Sequence, residues 1–450
     1  MRDESNEPRG SSRRLDSGDI AGCPIDRQSS FGAAPAFTPE AYSHPVNWPS
    51  AWKWLKTSRE NALGLFPASC FEDLHVKHSI FGQKLVVLSD PESIAEITGS
   101  ASGSFRLTNM HLRMLTPALG NGLIVAQDNA WRAHRRVSVK VIRRCNAAEL
   151  TPFSEQRIES MIDRWTHSPD PVSIQPDLAL LAIDLLVPEV FDHHFVVGND
   201  RVKASIERHR MTVERADPLD MLGAPPWLAS LRMRFARRIV RSFDGDIHKA
   251  IAASKTFSPP AGFNPDAQRD FVINIMSGFE SVATTTTWLL GLIATEPRLQ
   301  KWLRDPNVPK DVRTDRLDGA VLETMRLFPP LPLIYRQAVQ DYDAPSGRIK
   351  RRSIVCFSPY IIQRHQALWE NPLQFDPQRV LSQAKHSPFM PFGTGARQCV
   401  GKQLGPRLVS EIVRQVLDKT TLRSREKLPL PRAGLSLRPE RPIMIDCSSV

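Results

Sequence analysis

The sequence predicts a mainly α protein with small β-sheets. Three observations carry this: two short alternating runs flanking a glycine turn near the start, long helical periodicity through the middle, and one segment that is apolar around most of its circumference. Taken in order, His75 to Ile80 and Lys84 to Leu88 flank Phe81-Gly82-Gln83 and form a hairpin pattern. Asp90-Pro91-Glu92 then opens a helix, because proline suits the first helical position. From about Trp131 to His248 the pattern is mainly helical, broken at Asp217-Pro218 and Ala224-Pro225-Pro226. Asp270 to Thr295 carries Phe271, Val272, Ile273, Ile275, Met276, Phe279, Val282 and Trp288-Leu289-Leu290, which predicts one long helix crossing the core. A helix through Glu323 and Arg326 must stop at Pro329-Pro330. A second strand region follows, clearest at Ile354 to Phe357. Val400, Leu404, Leu408, Ile412 and Val416 recur every four residues and give a last amphipathic helix.

Composition narrows the function. The chain has 450 residues, 41% hydrophobic and 24% charged, as in an ordinary soluble globular protein with a sizeable core. No stretch approaches the roughly 18 apolar residues of a membrane span, and the acid-containing start resembles neither a secretion signal nor a transit peptide. Residues 1–44 are expected to be a flexible polar tail and 45–450 a single domain. Six cysteines, at 23, 70, 145, 356, 399 and 447, form no C-x-x-C pair and no regular framework, which argues against zinc and disulfides and for the cytoplasm. A net charge of +11 could meet DNA, anionic lipid or an acidic protein, and does not choose among them.

The strongest motif is Phe392-Gly393-Thr394-Gly395-Ala396-Arg397-Gln398-Cys399-Val400-Gly401, which sets one cysteine between a glycine-rich loop and a helix. A sulfur at the N-terminal end of a helix favours thiolate, the form that binds metal. Gly393 and Gly395 permit a tight loop whose N–H groups approach the sulfur. The pattern F-x-x-G-x-R-x-C-x-G resembles the haem-binding signature of the cytochrome P-450 superfamily, the haem-thiolate monooxygenases. That resemblance implies a P-450 fold with haem b between the long central helix and the cysteine loop, Cys399 as axial thiolate, Arg397 on a haem propionate, and Gly401 bare so that the helix passes close to the macrocycle.

Other segments fit the same resemblance. Ser277-Gly278-Phe279-Glu280-Ser281 matches the family's A/G-G-x-D/E-T pattern with two departures, Ser277 for a small apolar residue and Ser281 for threonine. Glu280 and Ser281 are then the expected proton relay, because a serine hydroxyl still donates and accepts. The plainer alternative is a buried Ser/Thr-rich helix bonded to its own carbonyls. Glu323 and Arg326 resemble the family's E-x-x-R pair and Arg379 its partner, a structural network under the cysteine loop. Trp131 and Arg135 place an indole N–H and a guanidinium on one helical face, and with Arg336 they are implied propionate contacts. Phe392 and Gly393 complete the cofactor shell. The implied substrate pocket comprises Phe105, Met110, Leu115, Ile275, Met276, Phe279, Leu331, Leu333, Ile334 and Leu435. Between Lys255 and Asp270 the chain is rich in Pro, Gly and Ser, which implies that a helix common there in the family is reduced.

The resemblance therefore implies a monomeric monooxygenase that inserts one atom of O2 into a lipophilic small molecule. No reductase sequence follows Cys399, so electrons are expected from a ferredoxin-type donor with its reductase. That donor would dock on Arg132, Arg136, Lys140, Arg143, Arg144 and Lys402. Neither nucleic acid nor a transmembrane anchor is implied. Two alternatives stay open: a haem-thiolate peroxygenase or isomerase, and a basic non-enzymatic binding protein.

Overall fold

Local sequence sets the first elements. The computed structural model describes residues 33–146, 150–191, 262–379 and 388–450, with scattered positions between 219 and 252. Helix α1 (Ala51–Glu60) precedes strands β1 (His75–Ile80) and β2 (Gln83–Leu88), which pair antiparallel. Their turn residues Phe81 and Gly82 have φ of 51° and 72°, the left-handed pair required by a two-residue hairpin. Asp90 caps α2 (Pro91–Thr98) by accepting from the Ser93 N–H. Phe37, within the expected tail, instead forms an isolated bridge with Phe375, their rings 5.1 Å apart. Its aromatic surface gives that stretch a reason to pack.

The next elements are β3 (Phe105–Arg106), α3 (Asn109–Leu119), α4 (Asp128–Asn146), α5 (Pro152–Thr166), β4 (Val172–Ser173) and α6 (Ile174–Phe191). Of the breaks expected at Asp217-Pro218 and Ala224-Pro225-Pro226, Asp217, Pro218 and Pro226 lie outside the described residues, as does most of the helical pattern between residues 192 and 248, while Ala224 and Pro225 are not helical. Asn264 caps α7 (Pro265–Met276), so this helix starts earlier than expected. The expected long helix is two helices: α7 ends at Met276 and α8 (Phe279–Thr295) resumes after Ser277 and Gly278. The Ser277 hydroxyl donates to the Asn274 carbonyl at 2.7 Å, and glycine follows, so helix-weakening residues fall at the kink.

Helix α8 is the core's axis. It is buried from Val282 to Ala294 and packs on α6, with Trp288 stacked on Phe328 at 4.2 Å. After α9 (Pro297–Leu303) and α10 (Lys310–Leu327) come β5 (Ile334–Ala338), β6 (Tyr342–Ala344), β7 (Gly347–Ile349), β8 (Ile354–Phe357) and α11 (Pro359–Ile362). The main sheet has order β1-β2-β8-β5-β3, with β2 and β8 parallel and the other pairs antiparallel. Helix α12 (Leu404–Lys419) buries Leu404, Leu408, Ile412 and Val416 on one stripe, as the four-residue spacing predicts. The chain closes with β9 (Thr420–Arg423), the hairpin β10 (Pro431–Ala433) and β11 (Leu437–Pro439), and β12 (Met444–Ser449). No helix among the described residues is long and apolar enough to cross a membrane.

Candidate active site

Between α8 and the cysteine loop lies a cavity of about 570 Å³. The loop that floors it is held by backbone bonds: Gly393 N–H to the Met390 carbonyl at 3.0 Å, and Cys399 N–H to the Phe392 carbonyl at 2.9 Å. Gly393 and Gly395 have φ of 65° and 70°, and a Cβ on Gly395 would stand 2.2 Å from the Thr98 carbonyl oxygen. Glycine at Gly395 is thus a steric requirement. A Cβ on Gly401 would meet only the Cys399 sulfur, at 3.8 Å, so its bare face is turned to the cavity it lines.

The Cys399 sulfur opens into this cavity, so its accessible area faces the cavity, deep within the protein. Its electrostatics differ from the sequence expectation. Helix α12 begins only at Leu404, and burial pushes the thiol up, opposed by the Gly401 N–H and the Arg135 guanidinium. The helix end is too distant to secure the thiolate; a bound metal cation would do so directly. Cys356, by contrast, is fully buried in β8 and hydrogen-bonded to Tyr335, away from the cavity.

Besides Arg438 on the C-terminal hairpin, three guanidiniums line the cavity. Arg135 donates to the Gln398 carbonyl, Arg397 to the Ala126 carbonyl at 2.7 Å, and Arg336 to the Tyr335 carbonyl at 2.8 Å. Arg397 also stacks 4.9 Å over the Trp131 ring. No carboxylate lies within ion-pair distance of any of them among the described residues, and the Trp131 indole N–H has no partner there either. Burial and the charge of Arg397 lower Arg336 to about 10. Converging like charges at such cost need an anion. A group carrying two carboxylates and a metal, as haem does, fits these donors and the sulfur in the same cavity.

Eight of the ten expected pocket residues line the cavity: Leu115, Ile275, Met276, Phe279, Leu331, Leu333, Ile334 and Leu435. Phe105 and Met110 do not. Phe105 is held in the sheet by β3–β5 pairing and packs edge-on against Tyr342 at 5.5 Å, and Met110 lies on the first turn of α3, off the wall that Leu115 and Leu119 form. His111 lines the cavity unforeseen. Its Nδ1 pairs with the Thr108 hydroxyl at 3.0 Å, and burial together with Arg336 lowers it to about 4, a neutral imidazole. A lone histidine beside a capping threonine gave no sequence signal.

Ser277 at the break between α7 and α8, and Glu280 and Ser281 on α8, all line the cavity. Thr285 and Thr286 bond back to the Ser281 and Val282 carbonyls at 2.9 and 2.8 Å, the plainer reading of this Ser/Thr-rich helix. The Ser281 hydroxyl differs, facing the cavity with no hydrogen-bond partner among the described residues. Below, Glu323 and Arg326 are fully buried and paired through both carboxylate oxygens at 2.8 Å, with Arg379 at 3.6 Å from Glu323. Burial raises the Glu323 carboxyl, and its donors pull the other way.

The cytochrome P450 family model matches residues 43–251 and 247–446. The chain belongs to the cytochrome P450 family. As a P450 it is a haem-thiolate monooxygenase. It is similar to human cytochrome P450 4F12, 25% identical over 374 residues that span 70% of this chain and 71% of that protein. The cyclooctatin synthase of Streptomyces melanosporofaciens is 24% identical over 363 residues, 72% of this chain and 76% of that enzyme. In fold, this P450 resembles the haem domain of cytochrome P450DA, with a TM-score of 0.69 at 17% identity, covering 91% of this chain and 99% of that one. A six-coordinated P450 from Thermus thermophilus gives 0.65 at 19% identity, covering 84% and 95%.

Proposed function

We propose that this P450 inserts one oxygen atom from O2 into a lipophilic small molecule, with haem b held by the Cys399 thiolate and electrons supplied by a separate ferredoxin-type carrier in the cytoplasm. The observation that carries the proposal is the presence in one cavity of a cavity-facing sulfur and three guanidiniums that lack carboxylate partners among the described residues. Haem supplies the oxygen and electron-transfer chemistry that no side chain provides. The chain does the rest. Arg135, Arg336, Arg397 and Trp131 neutralise and orient its two carboxylates, while Gly401 N–H and Arg135 favour sulfur as the anion.

Above, the apolar wall formed by Leu115, Ile275, Phe279, Leu333 and Leu435 excludes water and favours hydrocarbon-rich ligands. Ser281 Oγ is the hydroxyl free to donate a proton into the cavity, with Glu280 one residue before it as the group that restores that proton. On the opposite face, Arg132, Arg136, Lys140 and Arg143 are exposed along α4 and form the docking surface for an acidic carrier. The test is the reduced carbon monoxide complex, whose Soret band should carry the red shift of thiolate-bound haem. Cys399→His should abolish the shift and Cys356→Ser should keep it; the reverse result overturns the assignment. Reconstituted turnover should require both a reduced carrier and O2, and product formed from peroxide alone at the same rate would favour a peroxygenase.

A further inference from the structure

Helix α8 and the C-terminal hairpin are joined by a polar contact 158 residues apart in the sequence. The hairpin base is fixed: the Trp288 indole donates to the Leu437 carbonyl at 2.9 Å, Leu437 N–H to the Pro330 carbonyl at 3.1 Å, and Asn61 bonds both sides of β10. Its turn, Gly434-Leu435-Ser436, enters the cavity, where Leu435, Ser436 and Arg438 are wall residues. There the Glu280 oxygen Oε1 accepts from Ser436 Oγ at 3.0 Å, Thr284 Oγ1 at 3.2 Å, and Arg438 through Nε at 2.7 Å and through Nη2. Arg438 and Glu280 are 25% and 21% exposed, so the pair sits where water screens it only in part.

We propose that Arg438 is a positioning residue for Glu280, and that with Ser436 it ties the acid of the proton relay to the hairpin turn that meets substrate. The proposal rests on the monooxygenase reading and adds a residue outside the helix that carries the acid and alcohol. A glutamate has several rotatable bonds, and an unsupported carboxylate at a cavity wall samples several rotamers. The charge-assisted donors select one and fix its distance from Ser281. Because Ser436 belongs to the same turn as Leu435, a ligand pressing on Leu435 acts on the carboxylate's hydrogen bonds.

The experiment uses the haem-loaded protein with carbon monoxide as the probe, because the C–O stretching band in the infrared reports the field and donors above the iron. Arg438→Gln should broaden or split the band, Arg438→Lys should restore it, and Glu280→Gln should give the same band with or without Arg438→Gln. Glutamine at 438 should also raise peroxide released per electron in substrate-free turnover several-fold, with the thiolate Soret band unchanged. A wild-type infrared band in Arg438→Gln, while Ser281→Ala shifts it, overturns the positioning role and leaves the relay standing. A wild-type band in Ser281→Ala as well removes the relay itself. Should Arg438→Gln fail to fold, Ser436→Ala and Glu280→Gln decide the matter: wild-type bands in both overturn the proposal.

Discussion

Replacing Glu323 by glutamine tests what anchors residues 363–376, from which the Gln363 side chain accepts the Met390 N–H at the start of the cysteine loop at 2.8 Å. Glu323 and Arg326 are both 0% exposed, and the Arg326 guanidinium donates to both Glu323 oxygens and to the carbonyls of Gln363, Pro372 and Gln374, the last three at 2.7 Å. Glutamine keeps the size and can still accept the Asp376 N–H that Glu323 Oε1 receives at 2.9 Å. It leaves Arg326 as a buried charge with carbonyl dipoles but no counter-ion. Removing one partner of a buried pair costs about 3–5 kcal/mol, and because these carbonyls remain, the lower end, about 3 kcal/mol, is expected. That is a large share of the about 5–15 kcal/mol that stabilises a typical fold. Urea unfolding followed by circular dichroism should show the midpoint fall, and the fraction of thiolate-type Soret absorbance should fall with it. The double variant Glu323→Gln with Arg326→Met should recover part of the loss, since no unpaired charge then remains. A cost below about 1 kcal/mol for Glu323→Gln with full haem retention would refute the view that this charge pair organises the loop.

The remaining predictions concern chemistry, docking and acid stability. Ser281→Ala should raise peroxide release per electron while leaving haem binding intact, and Ser281→Thr should retain coupling; equal coupling in Ser281→Ala would reject the proton role. Reversing Arg136 and Arg143 to Glu should slow reduction by an acidic ferredoxin several-fold at low salt and spare reduction by dithionite. Equal carrier-driven rates across an ionic-strength series would place the dock elsewhere. Burial lowers His44 and His111 from an ordinary value of 6.5 to about 4. The unfolded chain therefore binds more protons between those values, and stability should drop as pH falls from about 6.5 to 4, by up to about 3 kcal/mol per histidine. His44→Gln should flatten the urea midpoint over that window, and a wild-type slope would argue against the buried neutral imidazole.

Local chemistry explains what the sequence made legible. Cys399, Arg397 and the two glycines lie within one loop, and Glu323 with Arg326 on one helix turn, so short spacing carries their geometry. Trp131 and Arg135 share a face of α4 for the same reason. Long-range pairing leaves no such local trace. Nothing near Glu280 announces Arg438, because only packing of the hairpin on α8 brings them together. Phe105 is apolar like a pocket residue, but β3 pairing with β5 settles which way its backbone presents it. Ser277 and Gly278 are weak helix formers, but one apolar pattern runs across them, and the division into two helices accompanies the Ser277 bond to Asn274. The four-residue spacing extends back to Val400, beside Cys399, but the helix itself starts at Leu404, so the spacing overstates how near its end lies to the sulfur.

The bonds of Arg135 to the Gln398 carbonyl and of Arg397 to the Ala126 carbonyl cross-link the cysteine loop to α4 and to the stretch just before it through protein atoms alone. Thr98, at the end of α2, braces the same loop at Gly395. The loop's position is thus set by contacts with three other stretches of the chain as well as by its own backbone bonds. Loss of one such contact would return conformational freedom to the loop, and that entropy would be added to the cost of holding the sulfur in place.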